Sequence, residues 1–257
     1  MLVSSGVSRS PLVERSYIEG GLRVSPHPTH LIIFDLDGTV LDGHGAGHAA
    51  MERAFREVVG QPGEFSHLDF AGRTDPAMLH LAAERLGITI SAEQWPRLLR
   101  AFVAALQATA GATQALPGVP ALLRQLARDP RVGLGVGTGN VEEGAAIKLA
   151  AAGLAGLLPV GGYGSDGESR EAMLRVALDR TRAYYAAPNA PAVTVGDTPR
   201  DVNAARALGV RCIAVATGRY DVPALQAAGA DAVLPSLQDP RAFYAEVSRL
   251  SGRPLVG

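Results

Sequence analysis

An apolar run that ends in two carboxylates constrains the fold of this chain more than any other segment. The run covers residues 31–34, and it is followed by Asp35, Asp37, Gly38 and Thr39. Short runs of this kind are typical of buried strands in parallel sheets. Because residues two apart on a strand point the same way, both carboxylates can leave its carboxyl end together, where open α/β sheets bind ligands. The alternative is an ordinary strand followed by an Asp-Gly turn.

The closeness of Asp35 and Asp37 has a chemical consequence. Two crowded carboxylates repel each other and tend to hold a proton between them unless a cation lies nearby. The pair therefore indicates a metal ion, and it offers one nucleophile and one acid/base.

A second acidic site follows another apolar run. Residues 192–196 end at Asp197, and Pro199 and Asp201 come next. Proline suits the first turn of a helix, because its fixed φ angle is already helical. Asp201 is thus expected in that first turn, facing back toward the end of the strand.

Between the two acidic sites, residues 131–137 form a third strand-like run that leads into Thr138, Gly139 and Asn140. A helix that starts at Val141 would direct its free N–H groups at the space in front of Thr138. Such a helix start favours an anion.

The order of helical and strand-like segments predicts an α/β fold, with a parallel sheet, helices on both faces and an inserted helical module. We expect an N-terminal extension at 1–28, the α/β core at 29–43 and 115–257, and the helical module at 44–114. The predicted helices are 48–59, 76–86 and 91–110 in the module, and 119–128, 141–152, 170–186 and 199–208 in the core.

Composition limits the classes of partner and location. With 47% hydrophobic residues and a formal net charge of −1 over 257 residues, the chain can bury a sizeable core but offers no electrostatic attraction for nucleic acid or an anionic membrane. Cys212 is the only cysteine, so intrachain disulfides and thiolate zinc sites are excluded. No segment reaches the length of a membrane helix or resembles a secretory signal, so we expect a cytoplasmic protein, either a monomer or a homodimer.

The three strand ends together resemble the motifs of the haloacid dehalogenase-like superfamily. The resemblance rests on Asp-Leu-Asp-Gly-Thr at 35–39, Thr138, and Gly-Asp-Thr-Pro-Arg-Asp at 196–201, and it extends from Leu31 to about Leu234. Within the superfamily, the chain is similar to the branch of phosphoglycolate phosphatases and β-phosphoglucomutases. That branch inserts a helical cap directly after the first motif, which implies that the module at 44–114 is such a cap.

The resemblance implies a Mg²⁺-dependent phosphatase that acts on a small phosphorylated metabolite. Asp35 would be the nucleophile and Asp37 the acid/base, and the metal would be held by Asp35, Asp197 and the backbone carbonyl of Asp37. The remaining expected site residues bind the phosphate or shape its loop, namely Gly38, Thr39, Thr138, Gly139 and Asn140. Asp201 would help orient Arg170 or a metal-bound water.

One departure from the family concerns the usual lysine between the Thr138 motif and the last acidic motif. The only lysine, Lys148, lies ten residues past Thr138 and is expected on an exposed helix, outside the site. Arg170 stands in the expected region, at the start of the next helix, and its guanidinium suits phosphate oxygens. We therefore predict that Arg170 takes the catalytic role of the missing lysine.

Arg73 precedes Thr74 and Asp75, either of which can cap the helix that follows. In the resembled branch, a cap loop at this place contacts the substrate, so Arg73 is a candidate substrate-binding residue. An ordinary capped turn with an exposed arginine is the alternative.

Several related activities compete with phosphatase. Haloacid dehalogenases need neither a metal nor a second aspartate, so Asp37 and Asp197 argue against dehalogenation. Phosphonoacetaldehyde hydrolases use a cap lysine, and this cap has none. A phosphosugar mutase of the β-phosphoglucomutase kind and a non-catalytic phosphate-binding module both remain open.

Overall fold

The computed structural model describes residues 27–167 and 169–257. Of the extension predicted over residues 1–28, residues 1–26 lie outside that part of the chain. The strands are β1 (His30–Phe34), β2 (Leu41–Asp42), β3 (Gln114–Ala115), β4 (Val132–Gly137), β5 (Gly161–Gly162), β6 (Ala192–Gly196), β7 (Arg211–Val215) and β8 (Ala232–Leu234). The α-helices are α1 (Ala46–Val59), α2 (Asp75–Arg85), α3 (Gln94–Thr109), α4 (Val119–Arg128), α5 (Glu142–Ala151), α6 (Arg170–Tyr184), α7 (Pro199–Ala207), α8 (Val222–Ala227) and α9 (Pro240–Ser251).

Six parallel strands form the central sheet, in the spatial order β5-β4-β1-β6-β7-β8. The chain runs outward from β1 through β4 and β5, and then continues on the other side of β1 with β6, β7 and β8. β1 therefore lies where the strand order reverses, and ligands of open α/β sheets bind at the carboxyl ends of the strands beside this point. The predicted α/β class with a parallel sheet is confirmed.

Both faces of the sheet are covered by helices. The residues of β1 are buried throughout, as expected for a central parallel strand. β4 has glycine at every second position, and a Cβ atom at Gly135 would overlap the Thr181 side chain of α6. These glycines let α6 pack closely on the sheet, which brings the start of α6 to the carboxyl end of β1.

The helical module lies between β2 and β3, which pair with each other as a two-stranded antiparallel ribbon. Its helices, α1, α2 and α3, enclose a separate apolar cluster that includes Met51, Phe55, Phe65 and Phe102. Val141, at the start of α5, belongs to the same cluster, so the module packs directly on the core. The role of this module as a cap stays a prediction.

The helix predictions agree with the structure to within three residues at each end, and α4 has the predicted bounds. Two core helices, α8 and α9, were not predicted. None of the helices in the described residues has the length and apolar character needed to span a membrane.

Candidate active site

The carboxyl ends of β1, β4 and β6 open into one cavity of about 300 Å³. Its walls include Asp35 and Asp37 after β1, Thr138 after β4 and Asp197 after β6. The module closes the opposite side with its own residues, among them His48, Phe70 and Arg73. The residues that the sequence placed on three separate strand ends thus line the same space.

Arg170 connects two of the buried carboxylates. It is the first residue of α6, and its guanidinium donates to Asp35 Oδ1 at 2.5 Å and, through Nε, to Asp201 Oδ1 at 2.8 Å. All three side chains are at most 10% exposed. Both carboxylates raise the pKa of Arg170 against the effect of burial, so the guanidinium is permanently charged. Arg170 therefore supplies a fixed positive charge directly beside Asp35.

Both carboxylate oxygens of Asp201 accept hydrogen bonds. Oδ1 accepts from Arg170, whereas Oδ2 accepts from the Thr198 backbone N–H at 3.1 Å and from the Thr198 hydroxyl at 2.7 Å. Thr198 and Asp201 form a capping box at the start of α7, which Pro199 opens as predicted. Asp201 consequently holds the Arg170 guanidinium in place.

Asp197 is enclosed by backbone from two loops. Thr39 donates its hydroxyl to Asp197 Oδ1 at 3.4 Å. A Cβ atom at Gly38 or at Gly218 would overlap the Asp197 carboxylate, so both positions need glycine for steric reasons. Thr217 fixes this arrangement, because its hydroxyl donates to the Gly38 carbonyl at 2.6 Å.

Three carboxylates form a group that fits a metal ion. Oxygen atoms of Asp35, Asp197 and Asp201 lie within 4.8 Å of one another. Burial raises the pKa of Asp35 to about 7, although Arg170 opposes the shift. Burial, with Asp35 and Asp201 beside it, raises the pKa of Asp197 to about 8. Crowded, desolvated carboxylates of this kind are stabilised by a hard cation, and oxygen ligands suit Mg²⁺.

Asp37 points away from that acidic group and toward α5. Lys148 Nζ donates to both of its carboxylate oxygens at 2.8 Å, and Asn140 Nδ2 donates to Oδ2 at 2.6 Å. Although burial acts to raise the pKa of Asp37, Lys148 and Asn140 hold it below its ordinary value. Any contact of Asp37 with a metal bound by Asp35 and Asp197 would therefore come from its backbone, as the resemblance implied.

The prediction that Lys148 lies on an exposed helix outside the site was wrong. Lys148 is 5% exposed and lines the cavity. The buried face of α5 consists of Gly144, Ala145, Lys148 and Leu149. Because these positions recur at helical spacing, the lysine belongs to the inward face, and its four-carbon stem carries the ammonium group to Asp37.

Thr138 and Asn140 form a local hydrogen-bonded turn at the end of β4. Thr138 Oγ1 accepts from the Asn140 backbone N–H at 3.2 Å and from Asn140 Nδ2 at 2.8 Å. Gly139 lies under the module, since a Cβ atom there would overlap the Arg73 carbonyl. Its own carbonyl accepts from the Asp75 N–H at 2.7 Å.

The start of α5 faces an anion from within the chain. Val141 is the N-cap residue, and its N–H donates to Asp75 Oδ2 at 2.9 Å.

Thr74 caps α2, in agreement with one of the two predicted options. Arg73 is exposed and lines the cavity, so its predicted contact with substrate is sterically open.

The four aspartates of the first and last motifs, taken with Lys148 and Arg170, leave an excess of two negative charges. Asp35, Asp37, Asp197 and Asp201 carry four negative charges when ionised, and Lys148 and Arg170 carry two positive ones. A divalent cation would neutralise the remainder.

Three contributions to this site were not predicted from the sequence. Lys148 was detectable as the only lysine, placed on the apolar face of a predicted helix. Asp75 gave no comparable signal, because it reaches the site from the module. Gly218 gave none either, because it lies in the loop after β7.

A family model of haloacid dehalogenase-like hydrolases matches residues 32–215. A comparison with curated proteins gives no match. Among solved structures, the chain is similar to a hydrolase from Pseudomonas syringae, with 26% identity and a TM-score of 0.62 over 82% of this chain and 95% of that one.

Two further structures are similar at lower identity. A predicted phosphoglycolate phosphatase from Haemophilus somnus 129pt is 18% identical, with a TM-score of 0.62 over 83% of this chain and 96% of that one. CbbY from Rhodobacter sphaeroides, solved in complex with phosphate, is 18% identical, with a TM-score of 0.60 over 82% of this chain and 96% of that one. At this identity, both likenesses concern the fold.

The family model covers well over half of the chain, and the matched range includes the acidic group of Asp35, Asp197 and Asp201 as well as Lys148 and Arg170. The chain therefore belongs to the haloacid dehalogenase-like hydrolases, as the sequence resemblance predicted.

Proposed function

We propose that this hydrolase is a Mg²⁺-dependent phosphatase that cleaves a small phosphorylated metabolite through a phosphoryl group carried on Asp35. The observation that carries the proposal is the placement of two aspartates with separate cations on one cavity. Asp35 lies against Arg170, and Asp37 lies against Lys148. One carboxylate can thus act as nucleophile while the other transfers protons.

The first step forms a bond between Asp35 and phosphorus and breaks the bond between phosphorus and the ester oxygen. Asp37 takes up a proton when the anionic substrate binds and gives it to the departing oxygen, so that the product leaves as a neutral alcohol. In the second step, water attacks phosphorus and gives a proton to Asp37. Inorganic phosphate leaves, and the Asp35 carboxylate is restored.

Arg170 and the turn at Thr138 supply positive charge and hydrogen-bond donors for the phosphoryl oxygens. Arg170 is held in place by Asp201, so its position needs little reorganisation when charge develops. The N–H group of Gly139 would complete this cradle.

Asp35 and Asp197, with Asp201 beside them, would hold the Mg²⁺ ion. When bound, the ion would neutralise charge on the phosphoryl oxygens. The steric requirement for glycine at positions 38 and 218 keeps the Asp197 carboxylate in this group.

The module faces the departing group of the substrate. His48, Phe70 and Arg73 line the cavity opposite the aspartates, and the volume of about 300 Å³ suits a small metabolite. The named phosphatase among similar structures, and the phosphate bound to another, agree with this choice.

The test is hydrolysis of p-nitrophenyl phosphate with Mg²⁺, with the release of inorganic phosphate measured alongside. We expect turnover that stops in EDTA and returns with added Mg²⁺, and no turnover by Asp35→Asn. Full activity after exhaustive chelation would refute the metal requirement.

A panel of phosphorylated metabolites then identifies the substrate, and conversion of a phosphosugar without release of phosphate would indicate a mutase.

A further inference from the structure

The contact between Lys148 and Asp37 joins a side chain inside the protein to one that faces the cavity. The Lys148 side chain is 6% exposed, whereas that of Asp37 is 43% exposed. A substrate that enters the cavity therefore meets the Asp37 carboxylate, with Lys148 behind it.

The segment from Gly43 to the first turn of α1 covers this contact. A Cβ atom at Gly43 would lie 3.3 Å from Asp37 Oδ1, and one at Gly47 would lie 3.5 Å from Lys148 Nζ. The two glycines thus let this backbone pass close to the ion pair and keep solvent away from Lys148.

Lys148 is held in its charged form by more than one carboxylate. Although burial alone would lower the pKa of Lys148, Asp37 and Asp75 raise it above its ordinary value. Asp75 is itself fixed by the Val141 N–H, so it provides a stationary negative charge on the module side.

A second cation lies on the other side of the site. Arg170 binds Asp35 and Asp201 there. Without Lys148, the Asp37 carboxylate would be free to turn toward Arg170 and the acidic group. Symmetric donation from Lys148 to both oxygens, together with Asn140, prevents that rotation.

We propose that Lys148 is a positioning residue that holds the Asp37 carboxylate against the departing oxygen of the substrate, separately from the role of Arg170 at Asp35. This inference rests on the proposed phosphatase function. It assigns the two cations to two different parts of the reaction, and it predicts that loss of Lys148 impairs proton transfer more than it impairs attack by Asp35.

The experiment compares two aryl phosphates of similar shape. The leaving group of p-nitrophenyl phosphate departs readily as an anion, whereas phenol, with a pKa of about 10 like that of tyrosine, needs a proton from the enzyme. General acid catalysis typically contributes about 10²–10⁴ in rate. We expect Lys148→Met to lower kcat/KM for phenyl phosphate by about tenfold or more, and that for p-nitrophenyl phosphate by less than about threefold. Lys148→Arg, which keeps the charge, should restore much of the wild-type ratio.

Epistasis with Asp37 identifies the route of the effect. If Lys148 acts through Asp37, adding Lys148→Met to Asp37→Asn should change neither kcat/KM value further. This comparison can still be made if Lys148→Met alone fails to fold. The double variant removes both charges of the pair, so it leaves no buried charge without its partner. Glu143→Ala, an exposed change on the same helix, is the control and should match the wild type.

Three results would overturn the inference. Equal losses on both esters, a further loss in the Asp37→Asn background, or wild-type kinetics for Lys148→Met would each show that Lys148 does not position the acid. A wild-type chain that hydrolyses neither ester would instead overturn the proposed function, and the inference would fall with it.

Discussion

Lys148 Nζ lies 2.8 Å from each carboxylate oxygen of Asp37, across 111 positions of sequence. On the other side of the site, Arg170 makes the corresponding contact with Asp35 at 2.5 Å. Each aspartate of the first motif thus has its own cation, provided by a different helix. This division keeps the two carboxylates from sharing a proton, which two crowded acids otherwise tend to do.

Replacement of Arg170 should impair the chemical step. Arg170→Ala removes a preorganised donor at Asp35 and should lower kcat by about 10²–10³. Arg170→Lys should retain a measurable part of the activity, because it keeps the charge and loses only the planar geometry. Steady-state kinetics with p-nitrophenyl phosphate provide the measurement.

The matched control for Arg170 is Arg175→Ala on the same helix. Arg175 pairs with Glu171 on the exposed face of α6, and such a pair contributes about 0.3–0.5 kcal/mol. We expect wild-type kcat from this control. If Arg170→Ala matched it, the assignment of Arg170 would be wrong.

Gly218 should be required for metal binding. A methyl group at this position overlaps the Asp197 carboxylate, so Gly218→Ala should displace that ligand and weaken Mg²⁺ binding by about tenfold or more. Gly111→Ala is the control, because a Cβ atom there has no neighbour within 4 Å. Calorimetric titration of both variants with Mg²⁺ gives the comparison, and equal affinities would refute the steric account.

The affinity for Mg²⁺ should rise with pH. The pKa values of Asp35 and Asp197 are raised to about 7 and about 8, so both carboxyls carry protons in mildly acidic solution. Because Mg²⁺ binds the ionised form, protons compete with it below these values and cease to compete above them. We expect binding at least about tenfold tighter at pH 8.5 than at pH 6.5, with protons released on binding at the lower pH. Calorimetry in buffers of different ionisation enthalpy measures both quantities, and an affinity that did not change with pH would contradict these protonation states.

The sequence was sufficient for the parts of the fold that repeat a simple physical pattern. The apolar runs before Asp35 and Asp197 predicted central strands, because strands buried on both faces are apolar throughout. The helix starts at Pro199 and Arg170 were also predicted, since proline and the preceding capping residues mark the first turn.

The parts that could not be predicted depend on contacts between distant segments. The inward direction of Lys148 follows from how α5 packs between the sheet and the module, and Asp75 reaches the N–H of Val141 only because the module lies on the core. The helices α8 and α9 were missed, although Asp221 and Asp239 cap them through their side chains.

Transfer of the phosphoryl group to Asp35 is the step on which the proposed function depends. The most direct measurement is acid quenching of the enzyme during turnover of a ³²P-labelled aryl phosphate, followed by peptide mapping of the label. We expect label on Asp35, and a larger labelled fraction in Asp37→Asn, since loss of the base slows attack by water on the phosphorylated enzyme. Turnover with no labelled protein in either form, or label on any other residue, would contradict transfer to Asp35.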